Sequence, residues 1–260
     1  MLIDTHCHLD ATEFSTDRNA IVQAAFSAGV AKLLIPAVET ESFPAVKACC
    51  DSYPGCFPAY GIHPLYVDRA DEHDLRFLRE WLNQQLSSHI PPVAVGEIGL
   101  DYFVPNVDIL RQEHYFIEQL KIARDLDLPV LLHVRRAIDP VLKCLRRIRV
   151  RGGIAHAFNG SQQQAQEFIK LGFKLGFGGS MTYPRATRIR QLAATLPLDC
   201  IVLETDAPDI PPAWLANGRN SPRELTAIAR VLADLRSLPL AQIIVETTQN
   251  ANSVIHGLNR

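Results

Sequence analysis

Little in this 260-residue chain ties it to a membrane, or to a polyanion through bulk charge. Its 26 Lys and Arg are offset by 28 Asp and Glu, a formal net charge of −2 at pH 7. No global positive field therefore draws it onto nucleic acid or anionic lipid, and phosphate recognition has to come from local charge or a metal ion. No apolar stretch approaches the about 18–20 residues that a membrane-spanning helix needs. No basic segment followed by an apolar one marks a secretory leader. The cysteines, Cys7, Cys49, Cys50, Cys56, Cys144 and Cys200, contain no C-x-x-C pair. Scattered over a chain of this length, they argue against a disulfide framework and for reduced thiols in a cytoplasmic protein. A Gly-rich phosphate-binding turn after the first apolar run is also missing. Its place is taken by His6-Cys7-His8-Leu9-Asp10.

What is present is alternation. The composition, 47% hydrophobic and 21% charged, supports a sizeable core. Short apolar runs recur at 2–9, 32–38, 56–63, 92–99, 129–134, 152–158, 173–179 and 200–206. Unbroken runs of this kind suit strands buried on both faces of a parallel sheet. Helical patterns lie between them. Leu75, Leu78, Leu82 and Leu86 mark a helix over 71–86, and Leu110, Ile117, Leu120 and Ala123 mark another over 107–127, closed by Pro129. Ser221-Pro222-Arg223-Glu224 reads as a capping-box helix start. No low-complexity linker divides the chain. Strands alternating with helices at this length predict an α/β fold, a (β/α)8 TIM-type barrel forming a single domain over 1–260, with a doubly wound open sheet as the alternative.

In such a barrel, chemistry gathers at the C-terminal ends of the strands. Those ends carry His6 and His8, His63, Glu97, His133, His156 and Asp206; only the second and seventh lack such a group. Residues two apart share a strand face, so His6 and His8 point together. The remaining histidines, His73, His89, His114 and His256, fall in helices or loops and read as surface or packing residues. Imidazoles and carboxylates converging on one mouth are costly unless something pairs with them, and divalent cations do so. A nitrogen and oxygen donor set without thiolate suits Zn, Mn or Fe and tolerates Mg. His6, His8, Glu97, His133, His156 and Asp206 exceed what one tetrahedral ion with an open position needs. The expectation is two divalent cations: His6, His8 and Asp206 around one, His133 and His156 around the other, Glu97 bridging.

The motifs DTHCHLD (4–10), GIHP (61–64), GEIGLD (96–101), LPVLLH (128–133), HAFNG (156–160) and ETDAP (204–208) stand in this order. In them, in the helix at 111–129, and in RNSP (219–222) and TTQNANSVI (247–255), the chain resembles the TatD family of metal-dependent hydrolases from end to end. The resemblance implies a TIM-type barrel, a two-cation centre and deoxyribonuclease activity on DNA or another phosphodiester. His6, His8, Glu97, His133, His156 and Asp206 match the family's metal-binding positions, and His63 a histidine at the mouth. The family often has serine where Asn159 stands in this chain.

On that basis Asp206, Glu97 and His63 are expected to be catalytic. Asp206 would take a proton from a metal-activated water, and His63 would contact the phosphate or the leaving oxygen. Glu204 and Asp101 are expected to support the ligands from behind. Arg135, Arg136, Arg185 and Arg219 follow strand ends and are candidate phosphate clamps. Tyr66, Tyr102, Phe158 and Tyr183 follow strand ends too and are candidates for stacking bases. Arg146, Arg147, Arg149 and Arg151 precede a strand and belong to the opposite face. No membrane and no obligate protein partner is implied. The competing readings are an amidohydrolase acting on a small C–N, lactone or phosphoester substrate, and a metal-binding protein without catalysis. The absence of lysine between residues 48 and 120 argues against the carboxylated-lysine bridge usual in the former. Retention of Asp206 argues against the latter.

Overall fold

The computed structural model describes residues 1–216 and 218–259. Eight parallel strands pair in sequence order. They are β1 (Leu2–Asp4), β2 (Val30–Pro36), β3 (Cys56–Tyr60), β4 (Ala94–Asp101), β5 (Val130–Arg135), β6 (Gly153–Ala155), β7 (Phe173–Phe177) and β8 (Ile201–Leu203). Past the ends of β1 and β8 the chain continues to pair. Thr5 N–H donates to the Leu203 carbonyl, Asp206 N–H to His6, and His8 N–H to Ala207. These bonds bring the last strand back to the first, and the sheet rolls into the expected barrel. The helices between strands are α1 (Arg18–Ser27), α2 (Phe43–Ser52), α3 (Glu72–Gln85), α4 (Ile109–Asp125), α5 (Ile138–Arg147), α6 (Gln162–Lys170) and α7 (Thr187–Thr195); α8 (Leu225–Arg236) and α9 (Leu240–Val254) follow β8.

Alternation along the strands builds two cores. Leu33, Ile35, Val95, Leu132, Leu175, Ile201 and Leu203 face outward and pack under the helices. Ile3, Leu34, Ala59, Ala94, Leu131, Ile154 and Val202 face inward, and Ala251, Val254, Ile255 and Leu258 close the lower end beneath them. Continuing the period of two upward from Ala59, Leu131, Ile154 and Val202 places His63, His133, His156, Glu204 and Asp206 on the inner face. Glu97 arrives there differently. Strict alternation from outward-facing Val95 would turn it toward the helices. The β4–β5 register shifts between Val95 and Ile98, both of which face outward, and the extra residue in this bulge frees Glu97 to face inward.

Two helix expectations need correction. Leu110 does not join the buried stripe of α4 and is 79% exposed. The buried face runs through Gln112, Phe116, Gln119 and Ala123, so two polar residues hold positions that apolar spacing assigns to hydrophobes. Each is satisfied there. The Gln112 carbonyl oxygen accepts from Asp101 N–H at 2.9 Å. Gln119 accepts from Ile62 N–H at 2.7 Å and donates to Ile62 O at 3.0 Å. The amides thus grip the chain beside Asp101 and His63. The second correction is at Ser221. Its side chain caps nothing and α8 starts at Leu225, because Trp214 Nε1–H donates to Glu224 at 2.8 Å and Arg223 takes the other carboxylate oxygen. By contrast, Asp71 does cap α3, through the amides of His73 and Asp74.

Gln119→Leu preserves bulk but orphans the buried N–H and C=O of Ile62. The expected loss is about 2–4 kcal/mol of stability, read from the urea midpoint at unchanged slope.

Candidate metal centre

The backbone at the seam between β1 and β8 presents three of the functional side chains. Asp4, fully buried, accepts from Thr205 N–H at 2.9 Å and from His6 N–H at 3.3 Å. Asp206 sits in the left-handed region at φ 59°, where residues other than glycine are uncommon. Buried Asn220 holds this turn. Its amide donates to the carbonyls of Thr205 and Asp209 at 2.8 Å and of Ile210 at 3.2 Å, and its oxygen accepts from Ser221 N–H. Sequence reading missed Asn220 as a positioning residue, although it lies inside the quoted RNSP motif.

The structure brings all six expected ligands and His63 together. Nε2 of His6 and Nε2 of His8 lie 3.3 Å apart. Both approach Glu97 Oε2, at 3.2 and 3.6 Å, and Asp206 Oδ1, at 3.6 and 3.7 Å. The other carboxylate oxygen, Glu97 Oε1, faces a separate set: His133 Nδ1 at 3.0 Å, His156 Nε2 at 3.6 Å and His63 Nε2 at 3.8 Å. Two supports lie where expected. Asp101 is 2.9 Å from His133 Nε2, and Glu204 is 3.2 Å from His156 Nδ1 and accepts from Ala157 N–H at 2.5 Å. Gly176 makes room for Glu204, since a Cβ there would come within 2.0 Å of its carboxylate.

Charge compensation inside the cluster is carried by imidazoles. Burial works to raise the Glu97 pKa, but His6, His63 and a hydrogen bond from His133 hold it well below the usual carboxylate range. Burial also opposes a charge on His156, yet Asp206, Glu204 and Glu97 raise it to about 10. His133 is raised as well, because hydrogen bonds to Asp101 and Glu97 outweigh its burial. His6 is lowered by burial and by neighbouring His156; His63 falls to about 3 by burial and the nearby His133.

This donor set fits a cation. An ion held tetrahedrally at about 2.0–2.1 Å spaces its ligand atoms about 3.3–3.4 Å apart. The distances of His6 and His8 from each other, from Glu97 Oε2 and from Asp206 Oδ1, 3.2–3.7 Å, bracket that spacing. Three triads have ligand atoms mutually within 4.8 Å: His6–His8–Glu97, His6–His156–Asp206 and His63–Glu97–His133. The last two differ from expectation: His156 groups with His6 and Asp206, and His133 groups with His63 rather than with His156. Their ring centroids are 4.3 Å apart, against 6.1 Å for His133 and His156.

The cluster floors a cavity of about 370 Å³ whose wall includes Arg135, Asn159, Ser180 and Asp209. The arginines expected at the mouth separate here. Arg135 lines the cavity; Arg185 and Arg219 do not. Arg219 needs correction as a phosphate clamp, because both its terminal nitrogens are engaged by the Asp17 carboxylate and its guanidinium lies over Phe14. Phe158 needs correction as a stacking platform, its ring being buried against Phe168. On the opposite face, Arg146 and Arg151 pair with Glu167 and Asp127.

Comparison with known proteins gives the family and agrees with the fold. The family model described as "TatD related DNase" matches residues 3–256. A metal-dependent hydrolase of Escherichia coli K12, YjjV, is 42% identical over 250 residues, 95% of each chain. The "3'-5' ssDNA/RNA exonuclease TatD" of Cronobacter sakazakii is 31% identical over 262 residues, 96% of each chain. The crystal structure of the Escherichia coli YjjV superimposes with a TM-score of 0.94, covering 98% of both chains at 40% identity. Among the described residues, no helix is long and apolar enough to cross a membrane.

Asn220→Ala removes a buried amide that four backbone groups depend on. It is expected to cost about 2–4 kcal/mol and to lower the calorimetric midpoint by about 2–4 °C per kcal/mol. Asn220→Asp, which turns a donor into an acceptor facing three carbonyls, should be no milder.

Proposed function

The chain belongs to the TatD-related DNase family of metal-dependent hydrolases, and from that membership we propose that it cleaves phosphodiester bonds of DNA with two divalent cations held at the barrel mouth. The observation that carries the reading is the division of labour on Glu97. One of its oxygens faces His6 and His8, the other faces His133, His156 and His63. A buried carboxylate placed between two nitrogen clusters is what a shared ligand of two cations requires. His6, His8, Asp206 and Glu97 would hold one; Glu97, His133 and His156 the other. Zn, Mn and Mg all suit these donors. Bound there, such a pair supplies Lewis acidity toward phosphoryl oxygens and lowers the pKa of water, the nucleophile of hydrolysis.

The protein's own groups do the rest. Asp206, fixed in its turn by Asn220 and nearly buried, orients the attacking water and accepts its proton. His63 Nδ1 accepts the Leu65 N–H at 3.2 Å, which leaves the proton on Nε2. With its pKa depressed, this ring stays neutral and offers Nε2–H to a phosphoryl or leaving oxygen. Arg135 reaches the same cavity and can grip a non-bridging phosphate oxygen. Asp101 and Glu204 fix the orientation of His133 and His156. A positive centre of this kind attracts an anionic phosphodiester despite the chain's net negative charge.

Purified protein is expected to hydrolyse single-stranded DNA with Mn or Mg and to stop in chelator. Elemental analysis should find two cations per wild-type chain and fewer in Glu97→Ala; one cation in wild type would overturn the bridge. Cation at about 100 times its Kd should add about 2.7 kcal/mol of stability. Asp206→Asn is expected to lower kcat by about 10²–10⁴ with the fold retained, and undiminished turnover would remove Asp206 from the mechanism.

A further inference from the structure

A second groove of about 490 Å³ opens beside the metal-site cavity, and the two share Arg135 and Asn159 in their walls. Its other functional groups are Phe103, Arg136, Asp139, Gln164 and Arg188. Phe103 stands two residues past β4. Its N–H donates to Asp101 Oδ1 at 2.8 Å, which fixes the turn, and the residue is 44% exposed. Two guanidiniums lie over its ring, Arg135 at 3.7 Å and Arg136 at 4.7 Å from the centroid.

Consecutive side chains on a strand point to opposite faces. Arg136 escapes that rule by entering the left-handed region at φ 54°, and both side chains meet the same ring. Attraction to the aromatic face offsets part of the repulsion between two cations held side by side. Acid does little to offset the rest. Arg135 has only Asp101, at 4.0 Å. Among the described residues, neither Arg136 nor Arg188 hydrogen-bonds or ion-pairs with a carboxylate. Asp139, which accepts from Gln164 at 2.9 Å and keeps its charge, is, among the described residues, the one carboxylate in a groove wall that carries three guanidiniums, Arg135, Arg136 and Arg188. The result is a positive trough that an anion would neutralise, continuous with the site of chemistry.

We propose that this groove is a phosphate-binding subsite for a single-stranded nucleic acid, receiving the backbone phosphate next to the one at the metal centre. The inference rests on the phosphodiesterase reading of the neighbouring cavity. Arg136 and Arg188 grip the phosphate, and the exposed Phe103 edge gives an unstacked base an aromatic neighbour, which a base stacked inside a duplex cannot use. A small phosphoester would fill the metal cavity without reaching this far.

The test uses the full-length Arg136→Gln/Arg188→Gln double variant and a fluorescein-labelled oligothymidylate of about eight nucleotides, within the span that single-strand binding folds cover. Anisotropy in chelator reads binding without cleavage. With Mn restored, kcat/KM is compared between that oligomer and a dinucleotide. The expected result is a binding loss of about tenfold or more and a salt dependence of log Kd shallower by about 0.7, the share of the one phosphate contact removed. The oligomer-to-dinucleotide ratio of kcat/KM should fall by about the same factor, carried by KM, with the thermal midpoint held. Equal binding by variant and wild type, or equal losses on both substrates, would overturn the subsite. Should the wild type cleave neither substrate, the phosphodiesterase reading fails by itself. Anisotropy then still decides the groove: binding lost in the variant keeps it, and binding equal in both or absent from the wild type removes it.

Discussion

A carboxylate buried in the throat of a barrel is the constraint from which the rest of the arrangement follows. Glu97 is 2% exposed, and its burial alone would drive it toward the neutral acid. It remains ionised because imidazoles surround it, two on one oxygen and three on the other. Those imidazoles in turn need their own orientation, and buried acids supply it: Asp101 behind His133, Glu204 behind His156. Glu204 then needs space and a donor, found over Gly176 and at Ala157 N–H. Each layer of polar groups is made tolerable by the next, and the chain of dependence runs from the metal cavity into the strand backbone.

The scaffold serves this with buried amides rather than with hydrophobic bulk. Gln112, Gln119 and Asn220 each fasten a loop end that carries or adjoins a functional side chain. An amide that both donates and accepts can satisfy an exposed strand terminus as no aliphatic side chain can. Helix α4, through Gln112 and Gln119, therefore holds the loops around the candidate site in register as well as covering the sheet.

Much of this was readable in the amino-acid order, for identifiable reasons. Buried parallel strands leave apolar runs, and a barrel puts their C-terminal residues at one mouth, so His6, His63, His133, His156 and Asp206 could be gathered from spacing and topology. Glu97 faces the other candidate ligands from within β4, which runs on to Asp101, and the cause was invisible in the sequence, since period-two alternation gives no warning of a bulge between Val95 and Ile98. Helix periodicity misjudged α4 because it scores glutamine as solvent-facing. It therefore favoured Leu110, while Gln112 and Gln119 hold the buried stripe through hydrogen bonds to backbone 11 and 57 residues away in chain order. Arginines at strand ends could be found by eye, but which were free could not. Arg219 is claimed by Asp17, 202 residues earlier, and nothing in the order of residues marks Phe103, over whose ring the fold lays two guanidiniums.

The joint between first and last strands is also a mechanical element. Short strands leave β1 and β8 few bonds of their own, and the hoop is fastened just above them by His6, His8 and Asp206 through the peptide backbone. Those residues also aim their side chains at a common point. An ion lodged there would act as a rivet through the clasp of the hoop, and ring closure would then share one fastening with the proposed turnover. Drift in sequence at this clasp would threaten architecture and chemistry together, whereas the outer helices are free to vary so long as they keep the ring covered.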